Sequence, residues 1–142
     1  MIPEALYREI LRNVPIVCVD VVARRPDGRI LLVRRKNAPL KGAWWVIGGR
    51  IQLGEKAADA AVRKLYEEAQ LKPLTPPQFL GVYEDTFECN SFEQVPYQTF
   101  SLVYEVAVDD VPISLDAQSD DYTWVTELPQ RFAVQQTRAT NK

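Results

Sequence analysis

The sequence predicts a mixed α/β sandwich. Three observations carry that expectation. Strand-like runs lie on both sides of one long amphipathic helix, a Pro26-Asp27-Gly28 turn joins the first two of them, and a glycine-marked loop leads straight into the helix. A helix flanked in sequence by strands buries its apolar stripe on the sheet those strands form.

The elements follow in chain order. Residues 3–12 predict a short helix, because Pro3 suits a first helical position and Ala5, Leu6 and Ile10 keep helical spacing. Residues 15–24, PIVCVDVVAR, are a β-branched run. After the tight turn, RILLVRR reads as the returning strand of a hairpin. Lys36 to Gly42 predicts a loop, and Trp44 to Ile51 a strand that ends in the adjacent pair Gly48-Gly49. Residues 56–70 predict the central helix, on which Ala58, Ala61, Val62, Leu65 and Ala69 form one apolar stripe. The segment from Lys72 to Pro77 breaks it. Residues 79–87 and 98–108 predict two more strands, joined by a polar loop holding Cys89 and Asn90. A loop rich in Asp, Pro and Ser spans 109–121, a short strand covers residues 122–127, and a terminal helix starts at Pro129. With no repeat and no compositional break, residues 1–142 read as a single domain.

Composition narrows the function classes. A net charge of −2 supplies no basic field for nucleic acid or an anionic membrane. No apolar run approaches the length of a membrane span, and MIPEALYREILR carries charges where a signal peptide has an apolar region. Two cysteines, Cys18 and Cys89, fit free thiols, so the expected location is the reducing cytoplasm. The chain has no histidine. Every Ser-His or Cys-His nucleophile pair is thereby excluded, and acid–base work falls to carboxylates, Lys, Tyr or metal-bound water.

Within this frame one spacing stands out: Gly49-x5-Glu55-x7-Arg63-x3-Glu67-Glu68. Carboxylates clustered on a helix that ends a loop suit a hard cation, and the cation suits a diphosphate. A chance match to those five letters in a chain of this size is on the order of one in ten thousand at ordinary residue frequencies. On the helical wheel Glu68 falls at the edge of the apolar stripe near Ala61, and Glu67 lies four residues from Arg63, within pairing reach. The pattern resembles the box of the Nudix hydrolases. That resemblance implies an α/β/α sandwich with a mixed sheet and a central loop-helix box. It also implies a divalent metal, Mg²⁺ with Mn²⁺ as the alternative, and a small-molecule nucleoside diphosphate substrate.

The resemblance reaches one branch, the GDP-mannose mannosyl hydrolases, through LYREILRNVPIVCVDVV, ILLVRRKNAP, KGAWWVIGGRI and AQSDDYTWV, which span most of residues 5–127. It implies cleavage at the sugar C1 carbon, with GDP and free sugar as products. It implies metal held by the Gly48 carbonyl, Glu68 and the Gln118 side chain, and the Glu67-Glu68 pair makes Glu67 a further candidate metal ligand. Asp20 would lie near the sugar, and Arg35 and Arg50 would neutralise the leaving diphosphate. Fixed guanidiniums suit this role because Arg binds phosphate through two parallel donors. Tyr7 reads either as a helix-face packing residue or as a ring that stacks on the nucleobase. Trp44 and Trp45 read as core and cleft wall. The branch also implies a homodimer.

The chain departs from the pattern at four places. Lys64 stands where the box has a glutamate, so fewer metals are expected. Gln70 replaces the box glycine, which suggests that no left-handed turn is needed there. Ile47 stands where the family often has proline, a change that alters loop stiffness. Ser119 stands where the branch has its histidine base, and serine accepts no proton usefully near neutral pH. The proton then goes to a carboxylate such as Asp120, Glu84 or Asp85, or water attacks under metal and arginine assistance alone, or cleavage occurs at phosphorus. Two other functions stay open: pyrophosphohydrolysis of ADP-ribose or a (d)NTP, and a catalytically weak module that binds a nucleotide without turnover.

Overall fold

The computed structural model describes residues 1–37, 41–89 and 92–128. The expected terminal helix from Pro129, together with Asn90 and part of the Lys36–Gly42 loop, lies outside the described residues.

Helix α1 spans Glu4–Asn13. Pro3 sits one position before the helix, as its N-cap, and its carbonyl accepts the Tyr7 N–H at 2.9 Å. Strand β1 is Ile16–Arg24 and β2 is Ile30–Arg35. The expected single strand over Trp44–Ile51 is instead two short ones, β3 at Trp44–Trp45 and β4 at Ile47–Arg50. They divide at Val46 because they serve different partners: β3 pairs with β2, and β4 pairs with β1. Helix α2 is Ala57–Ala69, followed by β5 at Gln78–Phe87, β6 at Tyr97–Ala107 and β7 at Ser119–Val125. Strand β7 starts three residues earlier than expected, since Arg35 and Arg34 of β2 pair with Ser119 and Asp121 around a bulge.

The sheet order is β3-β2-β1-β6-β5, with β4 also on β1 and β7 also on β2. Strands β1 and β6 run parallel from Ile16↔Thr99 to Arg24↔Ala107, and the other pairs are antiparallel. The mixed sheet expected from sequence is therefore present. The β1–β2 hairpin pairs only at Arg24↔Ile30, next to its turn. Beyond that point the strands separate. From Val21 down to Cys18, β1 takes β4 as its partner, while β2 takes β7 and β3. The chain thus opens at the end of the sheet where Asp20 and Arg35 lie.

Alternation along β1 divides the core. Val19, Val21 and Ala23 are fully buried against Ala60, Ala61, Leu65 and Ala69 of α2. Val22 faces the other way, with Ile30, Leu32, Val46 and Val103, and Trp44 and Trp45 pack against that cluster as expected. On α2 the buried stripe is Ala60, Ala61, Leu65, Glu68 and Ala69, so Ala60 takes the place expected of Val62, which is half-buried. Gln70 corrects the sequence expectation outright. It adopts the left-handed conformation, φ 54° and ψ 35°, and its N–H caps the helix on Tyr66 O at 2.9 Å. Ala69 before it and Leu71 after it are both buried, and only a sharp reversal at residue 70 puts both inside.

Candidate active site

The opened end of the sheet forms a cleft of about 320 Å³. β1 gives it Cys18 and Asp20, β2 Arg35, β4 Gly48, Gly49 and Arg50, and α2 Lys64 and Glu68. Tyr7 of α1 and Gln118 beside β7 complete the rim. The cleft thus gathers Tyr7, Asp20, Arg35, Gly48, Arg50, Glu68 and Gln118, seven of the eight residues singled out from sequence. The eighth, Glu67, is outside the lining. Its carboxylate faces solvent and accepts from Arg63 Nη1 at 2.8 Å.

The box works partly as a brace. Arg63 donates to Glu55 Oε2 and Oε1 at 2.7 and 3.0 Å, to Glu67, and to the Arg50 carbonyl at 3.1 Å. Glu55 Oε1 also accepts the Gln52 N–H at 3.1 Å. The loop between β4 and α2 is therefore tied at both ends to one guanidinium. That bond fixes the backbone from which Arg50 projects. The Arg50 guanidinium lies 5.3 Å from the centre of the Tyr7 ring, a cation–π contact.

Close packing explains the glycine pair. A Cβ on Gly48 would meet Asp20 Oδ1 and the Val19 carbonyl, each at 2.6 Å. A Cβ on Gly49 would meet Lys64 Cε at 2.6 Å. So β4 lies flat between Asp20 on one side and the Lys64 stem on the other.

Burial sets the charge states. Asp20 is 7% exposed and Glu68 is 6% exposed. Burial pushes each carboxyl up to about 7. At Asp20 the negative Asp85 adds to that effect, while a hydrogen bond with Ser101 and the positive Arg35 oppose it. At Glu68 the Lys64 ammonium opposes it most. Lys64 Nζ stands 3.4 Å from Glu68 Oε2, a charge contact without hydrogen-bond alignment, and Oε2 makes no hydrogen bond. Burial raises the Cys18 thiol to about 12, so it is no nucleophile at neutral pH.

The donor set fits one hard cation. Glu68 offers a buried oxygen without a hydrogen bond, and the Gln118 amide and the backbone around Gly48 offer neutral oxygens on the same cleft. Among the described residues, no three Asp, Glu or Cys side chains cluster closely enough to hold a metal on their own. A bound divalent ion would polarise a diphosphate oxygen and stabilise a leaving phosphate.

Sequence reasoning named Asp85 as a candidate base but missed Thr99 and Ser101, the rest of the cleft floor. Thr99 and Ser101 of β6 and Asp85 of β5 are buried there, at 6%, 5% and 7% exposure. Tyr97 and Phe87 close one end with rings stacked at 5.1 Å. The signal was present as alternation: Tyr97, Thr99 and Ser101 occupy one face of a strand whose sequence matches no motif.

A family model, that of the NUDIX domain, matches residues 14–135. The chain belongs to the Nudix family. This Nudix domain is 33% identical over 118 residues to the low-salt glycan biosynthesis protein Agl8 of Haloferax volcanii, covering 82% of this chain and 74% of that one. It is 42% identical over 69 residues to an ADP-ribose pyrophosphatase of Methanocaldococcus jannaschii, covering 49% of this chain and 40% of the other. Its fold resembles that of a MutT protein from Methanosarcina mazei, with a TM-score of 0.70 at 23% identity, covering 89% and 94% of the two chains. This Nudix chain is accordingly a hydrolase of nucleoside diphosphate derivatives. Among its described residues no helix is long and apolar enough to cross a membrane.

Proposed function

We propose that the chain hydrolyses a nucleoside diphosphate sugar such as GDP-mannose, with Mg²⁺, releasing nucleoside diphosphate and free sugar. The observation that carries this reading is the make-up of the cleft. Two guanidiniums, Arg35 and Arg50, share it with a polar floor of Asp20, Ser101, Thr99 and Asp85. Guanidiniums bind and neutralise a diphosphate. A floor of carboxylates and hydroxyls suits a polyhydroxylated ring, whose donors need buried acceptors. The identity to a glycan biosynthesis protein over most of both chains supports the same substrate class.

In this reading Glu68, Gln118 and the Gly48 carbonyl would hold the metal, which would supply charge stabilisation for a leaving diphosphate. Arg35 and Arg50 take up the charge that develops as GDP departs. Asp20 orients the sugar from the cleft floor. Tyr7, already stacked on Arg50, offers its ring to the base.

A second reading, attack at phosphorus on ADP-ribose, is favoured by the identity to an ADP-ribose pyrophosphatase over about half of the chain. ³¹P NMR of a reaction with GDP-mannose and Mg²⁺ in ¹⁸O-labelled water separates the two. GDP without label supports attack at carbon, whereas GMP with labelled phosphorus refutes it. Turnover that Glu68→Gln abolishes excludes a module that only binds.

A further inference from the structure

Sugar release by water needs a group that takes the water's proton, and the chain has no histidine to do so. We infer that Asp85 is that group. The inference rests on the nucleotide-sugar reading above and goes beyond it by naming the general base.

Geometry separates Asp85 from the other carboxylates near the site. Asp120 points outward, half exposed, with Arg34 Nε donating to it at 2.7 Å. Glu84 lies on the opposite face of β5 from Asp85, exposed, and accepts from Gln98 Nε2 at 2.7 Å. Glu67 is taken by Arg63 outside the cleft. Glu68 faces Lys64 and belongs to the metal set. Asp20 stands against the Gly48 backbone, close to that set. Asp85, like Asp20, is buried on the cleft floor, but it is carried by β5, which pairs with β6 and not with β4 and its Gly48. Its cross-strand partner is Thr99 of β6, and Thr99 in turn pairs with Ile16 of β1. Asp85 is thus held by the β5–β6 ladder at the edge of the sheet, and a base on a paired strand keeps its position better than one on a loop. The site of Ser119, across the cleft, supplies no basic group.

The step balances as follows. A water oxygen attacks the sugar C1 carbon and forms the new C–O bond. The C1–O bond to the diphosphate breaks, and its electron pair leaves on the nucleoside diphosphate. The water's proton passes to a carboxylate oxygen of Asp85, which returns it to solvent once the free sugar has left.

The test uses the Mg²⁺-loaded full chain with GDP-mannose, comparing wild type with Asp85→Asn, Asp85→Ala, Glu84→Gln and Asp120→Asn. Wild type should release GDP and mannose. Asp85→Asn should lower kcat by about 10²–10⁴-fold while KM and the affinity for GDP stay within about threefold. Sodium formate should restore turnover to Asp85→Ala, which a merely structural role would not allow. Glu84→Gln and Asp120→Asn should keep wild-type kcat. If wild type releases GDP while Asp85→Asn keeps its kcat, Asp85 is not the base and the sugar-release reading stands. An Asp85→Asn that loses GDP affinity as much as kcat, or an Asp85→Ala that formate leaves inactive, also overturns the inference. If wild type yields only GMP and mannose 1-phosphate, the sugar-release reading itself fails.

Discussion

Lys64 runs along α2 toward Glu68 so that its ammonium stands 3.4 Å from Glu68 Oε2, while its stem covers Gly49. A positive charge thus sits beside a buried carboxylate of the proposed metal set, and a cation entering there would compete with it. Lys64→Glu removes that competitor and adds an acceptor, and should tighten Mg²⁺ or Mn²⁺ binding by roughly tenfold or more. Calorimetric titration of the two metals into both proteins checks this, and equal or weaker affinity in the variant counts against it.

The two glycines of β4 should respond differently to alanine. At Gly48 the new methyl meets the Val19 backbone and Asp20 Oδ1, neither of which can withdraw cheaply. Gly48→Ala should cost about 1–3 kcal/mol and reduce turnover. At Gly49 the obstacle is the flexible end of Lys64. Gly49→Ala should move that side chain and leave the melting temperature nearly unchanged. Thermal melts of the pair test the contrast.

Arg63 joins Glu55, Glu67 and the Arg50 carbonyl. Its pairing with two carboxylates raises its own proton affinity, Glu55 contributing most. Arg63→Ala should destabilise the fold by about 2 kcal/mol or more, because hydrogen bonds to charged groups are among the stronger ones. It should also weaken binding of a nucleoside diphosphate, since the Arg50 backbone loses its tether. Urea unfolding and GDP titration read the two effects separately.

Asp20 gives a pH dependence with a definite sign. Its carboxyl moves from an ordinary 3.8 to about 7, chiefly through burial, with the negative Asp85 adding to it. An acid whose folded pKa is raised contributes stability that is fully present below the unfolded value and lost as pH rises through the folded one. In metal-free protein, Asp20→Asn should therefore be more stable than wild type at pH 8, by on the order of a few kcal/mol and with a higher melting temperature, and give little gain near pH 4. Paired melts in a chelator at the two pH values decide it. A gain independent of pH would mean that the carboxylate is not strained by burial.

Gln70 occupies a conformation that costs a residue with a Cβ about 1–2 kcal/mol. Gln70→Gly should stabilise the chain by about 0.5–1 kcal/mol, after allowing for glycine's greater freedom when unfolded. Urea midpoints of the two proteins measure it.

Much of this molecule is set by local order in the chain. The β-branched run of β1, the Pro-Asp-Gly turn and the 3.6-residue stripe of α2 depend on neighbours a few residues apart, and each formed close to where periodicity placed it. The spacing from Gly49 to Glu68 is local in the same sense, because the loop and helix between them are one continuous piece. The resemblance of longer segments brought Asp20, Arg35, Arg50 and Gln118 into view, and they share one cleft.

What the tertiary structure alone decided concerns partners far apart in sequence. Trp44–Ile51 divides because β2 and β1 part beyond their turn and each claims a piece of it. Gln70 turns left-handed because Leu71 must reach the core, a demand that no count of residue preferences contains. Asp85 and Glu84 are adjacent letters with the same charge. One became a buried cleft residue and the other a solvated partner of Gln98. The pleat of β5 forces neighbours to opposite faces, and only the pairing of β5 with β6, itself beside β1, determines which face looks into the cleft.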